Sequence, residues 1–271
     1  MTHIVCRQLA PRIADVAANH RTIVRTVAEA TSAGADILVL PELSTSGYVF
    51  ESADEARACA ITPDDPMVGE WAAAVSGGSV LVCGFAELGA DGAVYNSALI
   101  LDASGVLATY RKAHLWDREK LFFAAGSQPP PVVPTAFGRI AVLICYDLEF
   151  PEYTRRAALD GADLLAIPTN WPRTEVPDGE RPSEVVIAQA AARVNHVVVA
   201  CCDRAGTERG QEWTEGTSII DEDGWRIAVA GPGPDREASA DVDLAGTRDK
   251  ALTPHNDLFT DRRPDLYGPL V

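Results

Sequence analysis

The sequence predicts an α/β domain in which helices cover sheets, and three observations lead there. Strand-like and helix-like segments alternate along most of the chain. Several strand candidates, such as residues 37–40 (ILVL) and 164–168 (LLAIP), are apolar throughout, as strands buried on both faces are. The stretch Gly34-Ala35-Asp36-Ile37-Leu38-Val39-Leu40-Pro41 is echoed by Gly161-Ala162-Asp163-Leu164-Leu165-Ala166-Ile167-Pro168. Each copy follows a helical pattern and runs into a buried strand closed by proline, so the chain reads as two similarly built α/β halves. No linker divides them, and the 271 residues are read as one domain spanning 1–271.

In chain order, residues 4–10 read as a strand. Asp15 caps a helix over 16–33 whose Val16, Ile23, Val24 and Val27 share a face, and Gly34 ends it. A strand at 37–40, a helix at 66–76 and a strand at 79–85 follow. The turns 89–92 (GADG) and 102–105 (DASG) join hairpin strands. The Pro-rich run 128–134 reads as a rigid loop. Residues 139–145 (RIAVLIC) form a buried strand that ends on Cys145, and Pro151 opens a helix with Glu152 in its first turn. Strand 164–168, an amphipathic helix at 183–195, and strands at 196–202, 217–221 and 238–244 complete the pattern.

Composition narrows the function. Hydrophobic residues at 47% and charged residues at 23% describe a globular chain. A formal net charge of -16 repels phosphate backbones and anionic bilayers, so nucleic-acid and membrane partners are not expected. No apolar run approaches the roughly 18 residues of a membrane span, and the N-terminus lacks the pattern of a signal peptide, so a cytoplasmic location is expected. The six cysteines form no CxxC pair and the five histidines no HxxxH or HxH pattern, so no metal site is expected. Cys201-Cys202 raises a thiol-transfer reading, but adjacent cysteines do not make a CxxC redox centre.

Three strand ends carry unusual chemistry: Glu42 after 38–41 (LVLP), Cys145 after 141–144 (AVLI), and Thr169-Asn170 after 165–168 (LAIP). In open α/β sheets, ligands sit beyond the carboxyl ends of strands. A sharp turn after a strand can expose Cys145 as a nucleophile and aim backbone N–H groups at a developing oxyanion. As a thiolate it needs a base or cation nearby, and taken alone it reads more readily as a small core residue. His114, His196 and His255 are available, but no context compels their pairing with it. Glu42, partly desolvated at its strand end, can act as base, or it is a solvated loop carboxylate. Lys112 can lower a thiol pKa and hold an oxyanion, or it is a surface lysine.

The order and wording of these segments resemble the nitrilase superfamily of carbon–nitrogen hydrolases over nearly the whole chain. The resemblance rests on Leu40-Pro41-Glu42-Leu43 with Gly47-Tyr48, on Tyr110-Arg111-Lys112-Ala113-His114-Leu115, on residues 143–152 (LICYDLEFPE) and on residues 261–267 (DRRPDLY). It implies a four-layer αββα sandwich with internal pseudo-symmetry, in agreement with the repeat. It implies Cys145 as nucleophile, Glu42 as general base, Lys112 as the group that stabilises the tetrahedral intermediate, and Glu119 in Arg118-Glu119-Lys120-Leu121-Phe122 as an aid to positioning. No cofactor is implied. A homodimer or larger assembly is, with the tail at about 250–271 in the interface.

Tyr146 after the cysteine resembles the amidase branch, including aliphatic amidases and 5-aminopentanamidase-like enzymes. The expected reaction converts a short aliphatic primary amide to acid and ammonia. N-carbamoyl hydrolase and nitrilase activities are the alternatives within the family, and a non-catalytic binding protein is the alternative outside it. Tyr48, Trp116, Tyr146, Asn170 and Trp171 are candidate pocket residues, with core or assembly packing as the other reading for the two tryptophans. Asp147 and Glu149 either favour an amine-bearing substrate or shape the turn after Cys145.

Overall fold

The computed structural model describes residues 1–268. Two six-stranded sheets lie face to face, and each is covered on its outer side by helices. In chain order the elements of the first half are β1 (Thr2–Gln8), α1 (Val16–Ser32), β2 (Ile37–Val39), α2 (Ala53–Ala58), α3 (Pro66–Ala74), β3 (Val80–Leu88), β4 (Val94–Asp102) and β5 (Gly105–Arg111). The second half holds β6 (Val132–Pro134), β7 (Arg139–Val142), α4 (Pro151–Leu159), β8 (Leu164–Pro168), α5 (Ser183–Asn195) and β9 (Val198–Cys202). After a two-residue hairpin, β10 (Thr207–Glu208) with β11 (Gln211–Glu212), come β12 (Ser218–Ile220), β13 (Arg226–Val229) and β14 (Arg236–Val242). The sheet orders are β14-β1-β2-β3-β4-β5 and β13-β12-β9-β8-β7-β6, and β1–β2–β3 and β7–β8–β9 run parallel.

The four layers follow from the two-residue period of a strand. In the first sheet, Ile4, Cys6, Ile37, Val39, Val80 and Val82 pack with the second sheet. Their neighbours Val5, Leu38, Leu40, Leu81 and Cys83 face the other way, against Ile23 and Val27 of α1 and Val68 and Trp71 of α3. Because each strand has two apolar partners, its sequence is apolar throughout. On the far side, Ala157 and Ala158 of α4 and Val185, Ala188 and Ala192 of α5 cover the second sheet.

The repeated segment has one structural job in both halves. Gly34 and Gly161, at φ +100° and +95°, end their helices with N–H bonds to Thr31 O (3.1 Å) and Ala158 O (3.0 Å). The aspartate that follows grips the neighbouring strand twice. The Asp36 N–H donates to His3 O (2.9 Å) while its carboxylate accepts from His3 N–H (2.8 Å). Asp163 does the same with Arg139, at 2.9 Å each way.

Some boundaries differ from the sequence reading. The strand expected to end on Cys145 stops at Val142, and Cys145–Glu149 form a 3₁₀ turn. The Pro-rich run is not all loop: Val132–Pro134 pairs antiparallel with β7 at the sheet edge, where a missing N–H is tolerated. His196 is not in a strand but ends α5 in the left-handed conformation, φ +47°. Helix α2 carries too few apolar residues to have signalled itself. No helix among the described residues is long and apolar enough to cross a membrane. The described part of the tail holds a short hairpin, β15 (Ala251–Thr253) with β16 (Asn256–Asp257), and the turn α6 (Pro264–Tyr267); residues 269–271, also assigned to an interface, lie outside the described residues.

Candidate active site

Glu42, Lys112 and Glu119 meet in one buried cluster. The Lys112 Nζ, with no solvent exposure, donates to Glu42 Oε1 and to Glu119 Oε1, both at 2.7 Å. Glu42 is likewise fully buried, beyond the partial desolvation expected of a strand-end carboxylate. Its Oε1 also accepts from Asn96 Nδ2 at 2.6 Å, while Oε2 has no partner among the described residues. Glu119 is fixed by its own turn, through Trp116 N–H to Oε2 (3.1 Å), and by the Tyr48 hydroxyl to Oε1 (2.5 Å).

Position and burial are set by the strands. Glu42 follows β2, where the chain crosses so close to Gly84 of β3 that a Cβ there would lie 2.6 Å from the Glu42 Cα and from Pro41 O. Lys112 follows the last residue of β5 and donates its N–H to Asn96 O at 2.8 Å. Asn96 therefore grips both Lys112 and Glu42. It escaped the sequence reading, though a signal existed: Asn96-Ser97 is a polar pair inside strand β4, which is otherwise apolar up to its terminal Asp102.

Charge balance explains the electrostatics. One ammonium faces two buried carboxylates, so one carboxylate is under-neutralised. Burial, chiefly, raises the Glu42 pKa to about 7; Lys112 opposes this and the Glu119 charge adds to it. For Lys112, burial alone favours the neutral amine, but Glu119 and Glu42 outweigh it and hold the group above the ordinary lysine range. The Cys145 thiol is pushed well above its usual value by burial and then by the Glu42 carboxylate, with Lys112 pulling the other way.

Cys145 adopts φ +48°, a left-handed conformation that costs a non-glycine residue of order 1 kcal/mol or more. Asp147 holds the turn in that shape. Its fully buried carboxylate accepts from Ile144 N–H (3.0 Å) and the Tyr110 hydroxyl (2.7 Å) through Oδ2, and from His114 N–H (3.0 Å) through Oδ1. The His114 ring lies 2.8 Å from the same Oδ1 and stacks on Phe150 at 3.7 Å. Asp147 thus has no oxygen left for a substrate, and Glu149 is exposed.

Of the candidate pocket residues, Tyr48 and Trp116 line a cavity of about 260 Å³ together with Glu119, Phe50, Phe122 and Trp213. Tyr146 adjoins it through an edge-to-face contact with Trp116, centroids 4.8 Å apart. Asn170 takes another part: its Nδ2 donates to Glu42 O at 2.9 Å, tying the end of β8 to the segment after β2. Trp171 is packed in the core, its ring against Gly216 and Val185, and is not on the cavity wall. Trp213, edge-on to Tyr48 at 5.5 Å, was not foreseen; an isolated tryptophan in a polar loop gives no periodic signal.

The carbon–nitrogen hydrolase family model matches residues 4–251. The chain belongs to the carbon–nitrogen hydrolases. It is 32% identical to a nitrilase of Pyrococcus abyssi over 269 residues, covering 98% of this chain and 99% of that one. It is 33% identical to the N-carbamoylputrescine amidase of Solanum tuberosum over 276 residues, covering 95% and 91%. Among solved structures, an amidase from Nesterenkonia sp. superposes with a TM-score of 0.81 at 28% identity, over 100% of this chain and 96% of that one. This carbon–nitrogen hydrolase is therefore an amidase-type hydrolase of the nitrilase superfamily, and its two-sheet fold is that superfamily's.

Proposed function

We propose that this hydrolase converts a small aliphatic primary amide to a carboxylic acid and ammonia through a thioester on Cys145. The observation that carries the reading is the bridging ammonium: Lys112 Nζ, 2.7 Å from Glu42 and from Glu119, stays charged while Glu42 is poised to exchange a proton near neutral pH.

In the proposed reaction, Glu42 takes the thiol proton as the sulfur attacks the amide carbon. Concerted transfer avoids a free thiolate, which the buried site disfavours. Lys112 and the Tyr146 backbone N–H hold the oxyanion. Glu42 returns the proton to the nitrogen, the carbon–nitrogen bond breaks and ammonia leaves. Glu42 then deprotonates water, which attacks the thioester; the acid departs and the thiol regains its proton.

Two observations support a small acyl group. The aromatic-walled cavity that meets the cluster at Glu119, about 260 Å³, falls just below the range of about 300–1,000 Å³ found for larger ligands. A variant of the Nesterenkonia amidase has been solved with butyramide, and another shows acrylamide added to the active-site cysteine. An N-carbamoyl substrate is the second reading, favoured by the likeness to the Solanum enzyme.

The test is ammonia release from propionamide, butyramide, 5-aminopentanamide, propionitrile and N-carbamoyl-β-alanine, by the natural chain and by Cys145→Ala. The simple amides should be turned over fastest, and Cys145→Ala should lose at least about 10³-fold. Clear preference for the nitrile or the carbamoyl compound would refute the substrate assignment, and turnover by folded Cys145→Ala would refute the nucleophile.

A further inference from the structure

A second buried ion pair, which the reaction above does not use, reaches the polar cluster by way of Tyr48. Glu208, on the β10–β11 hairpin of the second half, is 4% exposed and points at the loop that follows Glu42 in the first half. Its Oε1 accepts from two successive backbone N–H groups, Tyr48 at 2.8 Å and Val49 at 2.6 Å. Its Oε2 accepts from Arg204 Nη1 at 2.9 Å. Arg204, 2% exposed, donates through Nη2 to Pro11 O at 2.9 Å and lies over the Trp213 ring, 4.6 Å from its centroid.

Gly47 has room only because it lacks a side chain. A Cβ there would sit 2.6 Å from Glu208 Oε2 and 2.7 Å from the Ile13 Cα, and its φ is +78°. The far end of the gripped residue is the Tyr48 hydroxyl, 2.5 Å from the Glu119 oxygen that also receives Lys112. Contacts therefore run without a gap from Arg204 through Glu208, Tyr48 and Glu119 to Lys112 and Glu42.

A charged pair buried this deeply costs desolvation, and an apolar pair could fill the same space at less cost. Two N–H groups in succession on one carboxylate oxygen fix the direction of the Tyr48 Cα–Cβ bond, which a hydrophobic contact would not. We propose that Glu208, held by Arg204, is a positioning residue that acts through Tyr48 to set the Glu119–Lys112–Glu42 geometry. The proposal deepens the amidase reading and rests on it for its meaning.

The test is a double-mutant cycle on the full chain, with Glu208→Gln, Tyr48→Phe and the double variant. Gly47→Ala is a second way to displace the Glu208 carboxylate if Glu208→Gln does not fold. Glu208→Gln should lower kcat for butyramide at least about tenfold, with KM within about threefold. Its acid limb should move to lower pH, because a loosened Glu119 no longer adds its charge to Glu42. In the Tyr48→Phe background the same change should cost less than about threefold, since acting through one hydroxyl makes the losses non-additive.

An equal loss in both backgrounds, or an unmoved acid limb with only a lower Tm, would overturn the proposal. The rate of Cys145 alkylation by iodoacetamide against pH, followed on the Cys145 peptide, is measured in parallel. If the natural chain hydrolyses no amide, the amidase reading falls, while the alkylation cycle still decides whether Glu208 acts through Tyr48.

Discussion

The two copies of the Gly-Ala-Asp segment share a scaffold and part company one residue after the proline. In the first half the strand delivers Glu42, fully buried, with a lysine and a second carboxylate around it. In the second half it delivers Thr169-Asn170, neutral side chains at the same depth, and Asn170 reaches across to the main chain of Glu42. The caps, the aspartate clamps and the parallel pairing are common to both. A repeated unit can therefore be built once and chemically specialised at a single strand end, because the scaffold's hydrogen bonds are complete before the divergent residues begin.

Breaking the charged end should cost far more than breaking the neutral one. Lys112→Met leaves Glu42 and Glu119 facing each other without their cation. Losing one partner of a buried ion pair costs about 3–5 kcal/mol, and the proposed oxyanion contact goes with it, a loss on the order of 10²–10³ in kcat. Asn170→Ala removes one hydrogen bond to a carbonyl, about 1 kcal/mol, and should lower kcat by no more than about tenfold. Denaturant melts and butyramide turnover measure both. Similar effects from the two substitutions would mean that the halves share the chemistry.

The acid limb of the rate profile sharpens the same contrast. Glu42 acts as base only when ionised, and burial raises its pKa to about 7. The rate of amide hydrolysis should then fall about tenfold per pH unit below that value. Stability carries the opposite sign. Between the unperturbed value of 4.5 and about 7 the folded chain binds more protons at Glu42 than the unfolded chain, so this carboxylate's contribution to stability weakens as pH rises through that window. Glu42→Gln should abolish the acid limb along with most activity and flatten the stability curve there. A limb unchanged in Glu42→Gln would transfer the titration to another group.

What could be read from the sequence tracks how local each cause is. The apolar strands, the Asp15 cap, the Gly34 terminus and the turns at 89–92 and 102–105 rest on neighbours within a few residues, and all were legible. Glu42, Lys112 and Glu119 converge, but only the family's wording joined residues 70 positions apart; periodicity marked Glu42 as a strand end and left Lys112 indistinguishable from a surface lysine. Asn96 showed only as half of a polar pair in an apolar strand and Glu208 gave no local signal, since their partners lie across a sheet or in the other half. For Trp171, adjacency to a strand end left pocket wall and core packing both open, and its ring fills the space left by Gly216.

The smallest effect concerns what the halves share. Asp36 and Asp163 each accept a backbone N–H from the adjacent strand, at 2.8 and 2.9 Å. Asp163 also pairs with Arg248 at 2.8 Å, but that arginine is 59% exposed and solvent screens the contact. If the clamp is what the repeat preserves, Asp36→Asn and Asp163→Asn should each cost about 1 kcal/mol, equal within a few tenths, with kcat unchanged in both. A clearly larger loss at Asp163 would show that Arg248 matters despite its exposure, and the two clamps would no longer be equivalent. A change in kcat at either would mean that strand entry, some 6 residues before each divergent end, is coupled to the chemistry after all, against the roughly 3.3 Å per residue that separates them along the strand.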